Sequence, residues 1–120
     1  MRQEIGNFLT LIKILQNIDP EFPLQSARCL AVIYLYEGLS VTELSQRTNL
    51  SLSTVSRIVG ALSNYRQSGQ AYELINLTPS TTSRRTKVIT LTNSGRDAIK
   101  NIVDALTISR KNHDNVAIGI

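Results

Sequence analysis

The sequence predicts a mainly α-helical domain with one small β-hairpin, an α+β fold. Three observations predict it: two short amphipathic helical segments within residues 41–62, two short β-forming runs within residues 71–91, and apolar helical segments near both ends of the 120-residue chain. A single domain spanning 1–120 can bury roughly two-thirds of its unfolded surface. No linker, repeat or low-complexity stretch interrupts it.

Residues 4–18 form the first predicted helix. Ile5, Phe8, Leu9, Leu11, Ile12, Ile14, Leu15 and Ile18 cover more than one face. A helix apolar nearly all round must be buried on more than one side, and in so small a domain a second subunit is the natural cover. Asp19, Pro20 and Pro23 break the pattern. Residues 24–36 then form a central helix with Leu30, Ile33 and Tyr34 in its core, ended by Gly38.

The segment VTELSQRTNLSLSTVSRIVGAL follows, with helices expected over 41–48 and 52–62. Val55, Ile58, Val59 and Leu62 fall at i, i+3, i+4 and i+7, one face of a helix, and Leu44 faces them from the preceding segment. Small Ser45 lets the two helices cross closely. Asn49 sits where the turn needs a left-handed residue, which Asn tolerates. Ser51 offers a hydroxyl to cap the second helix, while Thr42, with Ser45 and Gln46, is the capping signal read for the first.

The opposite face of the second helix carries Ser53, Arg57, Gly60 and Asn64, flanked by Thr54, Ser56 and Ala61, and no carboxylate. Hydroxyls can bond to bases or phosphates, and Arg can pair bidentately with guanine. Two short helices joined by such a turn place the second in the major groove of double-stranded DNA. Gly60 costs about 1 kcal/mol against Ala inside a helix, and close approach to a DNA backbone would justify it.

Arg66, Gln67, Ser68 and Gly69 end the helical pattern. Strands are expected over 71–77 and 86–91, the second rich in β-branched residues, around a polar loop at 78–85 that contains Pro79, Arg84 and Arg85. A basic hairpin directly after a recognition helix is a wing, touching phosphate or the minor groove through Arg84, Arg85 and Lys87. A last helix begins near Thr92, whose hydroxyl can cap it, with Asp97 complementing its dipole. Ala98, Ile99, Ile102, Val103, Ala105 and Leu106 give it a wide apolar face, and the 116–120 tail is apolar too. The two terminal segments, 1–18 and 93–120, are expected to intertwine in a homodimer.

GLSVTELSQRTNLSLSTVSRIVGALS, the hairpin after it, and LTNSGRDAI together resemble the MarR-type winged helix-turn-helix transcription regulators. The order of parts is the same over roughly residues 22–102. The resemblance implies a homodimeric repressor or activator on a near-palindromic DNA site. It also implies small aromatic effectors that relieve repression, although no convergent polar set in the sequence marks a pocket for one. Family members carry Asp-x-Arg at the wing tip; here residues 80–85 read SerThrThrSerArgArg, with no acid and with Thr82 where that arginine would fall. The chain is also short for the family, so trimmed dimer-forming ends are expected.

Composition agrees with an anionic partner. The net charge is +4, with four basic and five acidic residues in 1–50 but nine basic and four acidic in 51–120. The positive half holds the proposed recognition helix and wing. The DNA-contacting set is therefore Ser51, Ser53, Thr54, Ser56, Arg57, Asn64, Arg84, Arg85 and Lys87. A winged helix serving as a protein-interaction module, or in a replication or partition complex, is the alternative. Such modules replace the small polar face with apolar or acidic residues, which this chain does not.

No nucleophile–base set, phosphate-binding glycine loop or metal-ligand spacing is present, so neither an enzyme nor a cofactor is expected. His113 has no acid–base partner pattern around it, and Cys29 lies among apolar residues as a small core side chain. No stretch approaches the ~20 apolar residues of a membrane span. Glu4, Gly6 and Asn7 interrupt any secretion-signal pattern, and a single cysteine fits a reducing compartment, so the cytoplasm is the expected location.

Overall fold

The computed structural model describes residues 1–64, 69–82 and 85–107. Arg84, His113, residues 66–68 and the 116–120 tail, all singled out above, lie outside them. The element order is α1 (Arg2–Ile18), α2 (Leu24–Leu35), α3 (Val41–Thr48), α4 (Leu52–Leu62), β1 (Ile75–Pro79), β2 (Lys87–Leu91) and α5 (Asn93–Thr107). The chain divides into two compact units, one formed by Pro23–Arg96 and the other by Met1–Phe22 with the chain from Asp97 onward.

In the Pro23–Arg96 unit the core is built where the apolar periodicities converge. Cys29, Leu30 and Ile33 of α2, Leu44 of α3, and Val55, Ile58, Val59 and Leu62 of α4 are buried together with Ile75, Ile89 and Leu91 of the hairpin. The buried stripe of α2 runs Ser26, Cys29, Leu30, Ile33. Tyr34, expected in the core, lies about 100° round the helix from Ile33 and is 49% exposed. Helix α2 ends at Leu35, and Gly38 supplies the φ of +98° that turns the chain toward α3.

The hairpin is antiparallel, with Ile75 opposite Leu91 and Leu77 opposite Ile89 on its inner side. Its first strand starts four residues later than the apolar run 71–77 suggests. The backbone donors of that run are spent elsewhere: Tyr72 N–H bonds to the Ala61 carbonyl at 2.9 Å and Leu74 N–H to the Leu62 carbonyl at 2.7 Å. These are carbonyls at the C-terminal end of α4, which have no partner within their own helix. Glu73 between them takes a left-handed φ of 56°, which no strand continues through. A third extended piece joins the sheet side: Gly38 N–H bonds to the Ile89 carbonyl at 2.8 Å and Ile89 N–H to the Leu39 carbonyl at 2.9 Å.

Thr92 joins the hairpin to α5. Its N–H bonds to the Leu74 carbonyl, its hydroxyl donates to the Glu73 carbonyl at 2.8 Å, and the same hydroxyl accepts from Gly95 N–H at 3.0 Å. That last bond is the expected helix cap. Gly95 packs so closely on residue 74 that a Cβ there would fall on the Leu74 carbonyl oxygen. The Leu-Thr-x-x-Gly pattern of residues 91–95 thus has a mechanical meaning: strand end, tie and cap, then a close backbone approach.

In the other unit, α1 buries Gly6 and Asn7 and half-buries most of its remaining apolar residues. Ile5 and Phe8 stay 54% exposed. The part of α5 in this unit buries Ala98, Ile99 and Ala105, whereas Val103 and Leu106 are exposed. Among the described residues no helix is long and apolar enough to cross a membrane.

Candidate nucleic-acid interface

Helices α3 and α4 have the bounds their periodicity predicts. The start of α3 is held differently from expectation. Its cap is Ser40, whose Oγ accepts from Glu43 N–H while Glu43 Oε1 accepts from Ser40 N–H, both at 3.1 Å. Thr42 plays no part in this capping box. The S-x-x-E spacing of Ser40 and Glu43 is the signal that reveals it, because each side chain reaches the other's backbone donor.

The turn follows the sequence reading closely. Asn49 is left-handed, with φ 59° and ψ 27°. Ser45 does more than make room: its hydroxyl donates to the Leu50 carbonyl at 2.6 Å, clamping the turn onto α3. Thr48 is fully buried and returns its hydroxyl to the Leu44 carbonyl at 2.7 Å. With both helix ends and the turn tied down, the angle of α4 is set by the scaffold rather than by its own surface.

At the start of α4 the hydroxyls are interlinked. Ser51 Oγ accepts from Thr54 N–H at 3.2 Å and donates to Thr54 Oγ1 at 2.8 Å, and Ser53 Oγ lies 3.3 Å from it. Ser51 is therefore engaged as the cap, which leaves little of its hydrogen-bonding capacity for a ligand. Ser53, Ser56 and Arg57 are exposed along the outward face, with Thr54, Gly60 and Ala61 half-buried beside them. Leu52, the first helical residue, continues the stripe of Val55, Val59 and Leu62 and is 51% exposed at the helix start.

The hairpin loop is closed by the Ser80 N–H to Thr86 carbonyl bond at 2.8 Å. Inside it, Ser80 Oγ accepts from Thr82 N–H at 3.2 Å and lies 3.0 Å from Thr82 Oγ1. Hydroxyls thus link Ser80 to Thr82 in a stretch that carries no acidic residue. Arg85 and Lys87 are exposed. Lys87 and Asn64, on different elements, converge on one open cleft of about 500 Å³, also lined by Ser63, Glu73, Asn76 and Leu77. Ser53, Ser56 and Arg57 lie outside that cleft, on the open face of α4.

One contact exists only once separate elements are packed. The Arg47 guanidinium, in the last turn of α3, stacks 3.6 Å above the Tyr36 ring, which pairs a cation with an aromatic face across the end of α2. Cys29 is fully buried, and burial pushes its thiol above the usual range against the weaker opposing effect of Arg28. A thiol held protonated in the core is a packing group, as its sequence setting suggests. Among the described residues no His/Cys/Asp/Glu group is arranged to hold a metal ion.

In sequence, residues 36–67 match the IclR helix-turn-helix domain, which covers α3, the turn and α4. No curated protein matches the chain. In structure, the chain is similar to Rv1404 from Mycobacterium tuberculosis, with a TM-score of 0.70 at 21% identity over 88% of this chain and 68% of that one. The transcriptional regulator Tm0710 from Thermotoga maritima gives a TM-score of 0.69 at 21% identity, covering 92% and 75% of the two chains. A MarR variant from E. coli, complexed with operator DNA, gives 0.65 at 15% identity over 92% and 71%. At these identities the likeness is one of fold, which among the described residues comprises five helices with a two-stranded hairpin.

Proposed function

We propose that the chain is a sequence-specific, double-stranded DNA-binding transcription regulator that acts as a homodimeric repressor. The observation that carries this reading is the outward face of α4. It presents hydroxyls, small residues and one guanidinium, with no carboxylate, on a helix whose angle is fixed by two caps and a tied turn. Ser53, Thr54, Ser56 and Arg57 read base edges in the major groove. Asn64 and Lys87 meet the sugar-phosphate backbone from the cleft between α4 and the hairpin, and Arg84 and Arg85 reach phosphate or the minor groove from the loop. Ser51 contributes by holding the start of α4.

The fold supports this orientation, since the structurally similar E. coli MarR is bound to operator DNA. Exposed Ile5 and Phe8 on α1 and Val103 and Leu106 on α5 supply apolar surface for a second copy. The terminal segments are thus the dimerisation helices, the 41–62 segment the groove reader and the 71–91 segment the wing. A dimer sets two α4 helices about one helical turn, roughly 10 bp, apart on a near-palindromic site. Such a protein works in the cytoplasm and requires no catalytic group.

The test is binding to double-stranded DNA across a salt titration, followed by selection from a random pool. Affinity that falls steeply with salt, with enrichment of a two-half-site sequence, supports the proposal. Absence of binding at low salt overturns it in favour of a protein-interaction module, and a monomer by light scattering at micromolar concentration removes the dimer.

A further inference from the structure

A short strap, residues 72–74, is hydrogen-bonded both to the end of α4 and to the start of α5. The last four carbonyls of a helix have no partner within it. In α4 the first two of these, on Val59 and Gly60, accept from Ser63 N–H at 3.0 and 3.2 Å. The other two, on Ala61 and Leu62, accept from Tyr72 and Leu74 N–H. The left-handed Glu73 lies between those two amides. The same strap serves α5. The Leu74 carbonyl accepts from Thr92 N–H at 3.0 Å, and the Glu73 carbonyl accepts from the Thr92 hydroxyl at 2.8 Å. That hydroxyl also accepts from Gly95 N–H in the first turn of α5. All of these bonds lie within the Pro23–Arg96 unit, whereas α5 itself continues past Asp97 into the other.

We propose that Thr92 is a positioning residue for DNA reading: its hydroxyl locks the strap to α5, so that α4 moves only with α5 and the spacing of the two half-sites is set there. This rests on the homodimeric DNA-binding reading above. The hydroxyl is the side-chain link in a connection otherwise made of backbone, so it can be removed singly. Each base pair inserted between half-sites moves one of them about 3.4 Å along the duplex and about a tenth of a turn around it. A dimer with fixed reading helices engages both half-sites at one spacing only.

The test uses duplexes with the selected half-site in pairs, the spacer varied by one or two base pairs, and a duplex with a single half-site. Wild type is expected to prefer one spacer by about tenfold or more over spacers two base pairs away, because simultaneous engagement is lost. Thr92→Val, which lacks both hydroxyl bonds, should narrow that preference to about threefold or less, with single-half-site affinity within about twofold of wild type. Thr92→Asp still accepts from Gly95 N–H at neutral pH but cannot donate to the Glu73 carbonyl. Its added charge weakens all spacers alike, and it should lose the preference even if Thr92→Val proves unfolded by circular dichroism. Thr92→Ser retains both bonds and the preference. A folded Val or Asp variant with the wild-type spacer profile overturns the inference, as does equal weakening at every spacer, the signature of a purely structural role. A wild-type chain that binds the half-site without preferring a spacer overturns it too, while leaving DNA binding intact. Failure of the wild type to bind any duplex overturns the DNA-binding reading and this inference with it.

Discussion

The Glu37 carboxylate accepts a hydrogen bond from the Arg96 guanidinium at 2.6 Å, and the same oxygen, Oε2, accepts from the Leu91 backbone N–H at 2.9 Å. One acid thus links the end of α2, the last residue of β2 and the first turn of α5. The two bonds differ in worth. The ion pair involves a half-exposed guanidinium, 54% accessible, and such pairs contribute ~0–1 kcal/mol. A hydrogen bond from a backbone donor to a charged acceptor contributes more, about 1.5–3 kcal/mol.

Glu37→Ala is therefore expected to destabilise the fold by about 2 kcal/mol, and Arg96→Ala by less than about 1 kcal/mol. Urea unfolding of the two variants measures both. Equal losses would show that the ion pair, not the Leu91 tie, is the stronger link.

The turn between α3 and α4 separates backbone demands from side-chain ones. At Asn49 the left-handed conformation costs a side chain with no local hydrogen bond about 1–2 kcal/mol. Asn49→Ala should lose about 1 kcal/mol of stability, whereas Asn49→Gly should stay within a few tenths. Ser51→Ala should lose about 1 kcal/mol as a cap. Because Ser51 is occupied by Thr54, that variant is expected to bind all DNA sequences somewhat more weakly without changing which it prefers. A shifted preference in a selection experiment would return Ser51 to the set of base readers.

What the sequence made legible follows from how local the cause is. The bounds of α3 and α4, the left-handed Asn49 and the Ser51 and Thr92 caps depend on residues within a turn of each other, and each is where its residue type demands. The start of β1 was not legible, because residues 71–74 have strand-forming side chains but give their N–H groups to the end of α4, a long-range event. Tyr34 was misplaced for a related reason: an aromatic in a helix says nothing about which side of a narrow buried stripe it falls on. At the site, the polar face of α4 could be read from spacing. The sharing of a cleft by Asn64 and Lys87, and the stacking of Arg47 on Tyr36, exist only once separate elements are packed.

Residues 73 and 95 carry opposite backbone constraints. Glu73 holds a positive φ that costs a residue with a Cβ, so Glu73→Gly should stabilise the protein by up to about 1 kcal/mol once the extra freedom of the unfolded glycine is subtracted. Gly95→Ala would drive a Cβ into a backbone carbonyl that is itself fixed by Thr92 N–H, leaving no flexible neighbour to yield. A loss of about 3 kcal/mol or more is expected, enough to remove a large part of a small domain's stability. Thermal unfolding should show the two shifts in opposite directions.

Base contacts and backbone contacts leave different signatures, and the proposed interface contains both. Arg57 stands exposed on the outward face of α4, where a guanidinium can engage guanine bidentately. Arg57→Ala should cost about 1–3 kcal/mol on the preferred site and relax specificity at one base position per half-site. Arg85 and Lys87 are exposed at the hairpin loop and its base, and a phosphate contact carries no sequence information. Removing either should weaken preferred and random DNA alike, and should reduce the slope of log affinity against log salt by about 1 for each phosphate lost, doubled where both halves of a dimer contribute. Fluorescence anisotropy at four or five salt concentrations, on a selected and a scrambled duplex, reads both quantities at once. An Arg57 variant with unchanged discrimination would remove α4 as the reader, and an unchanged slope in the Arg85 and Lys87 variants would place the wing away from the phosphates.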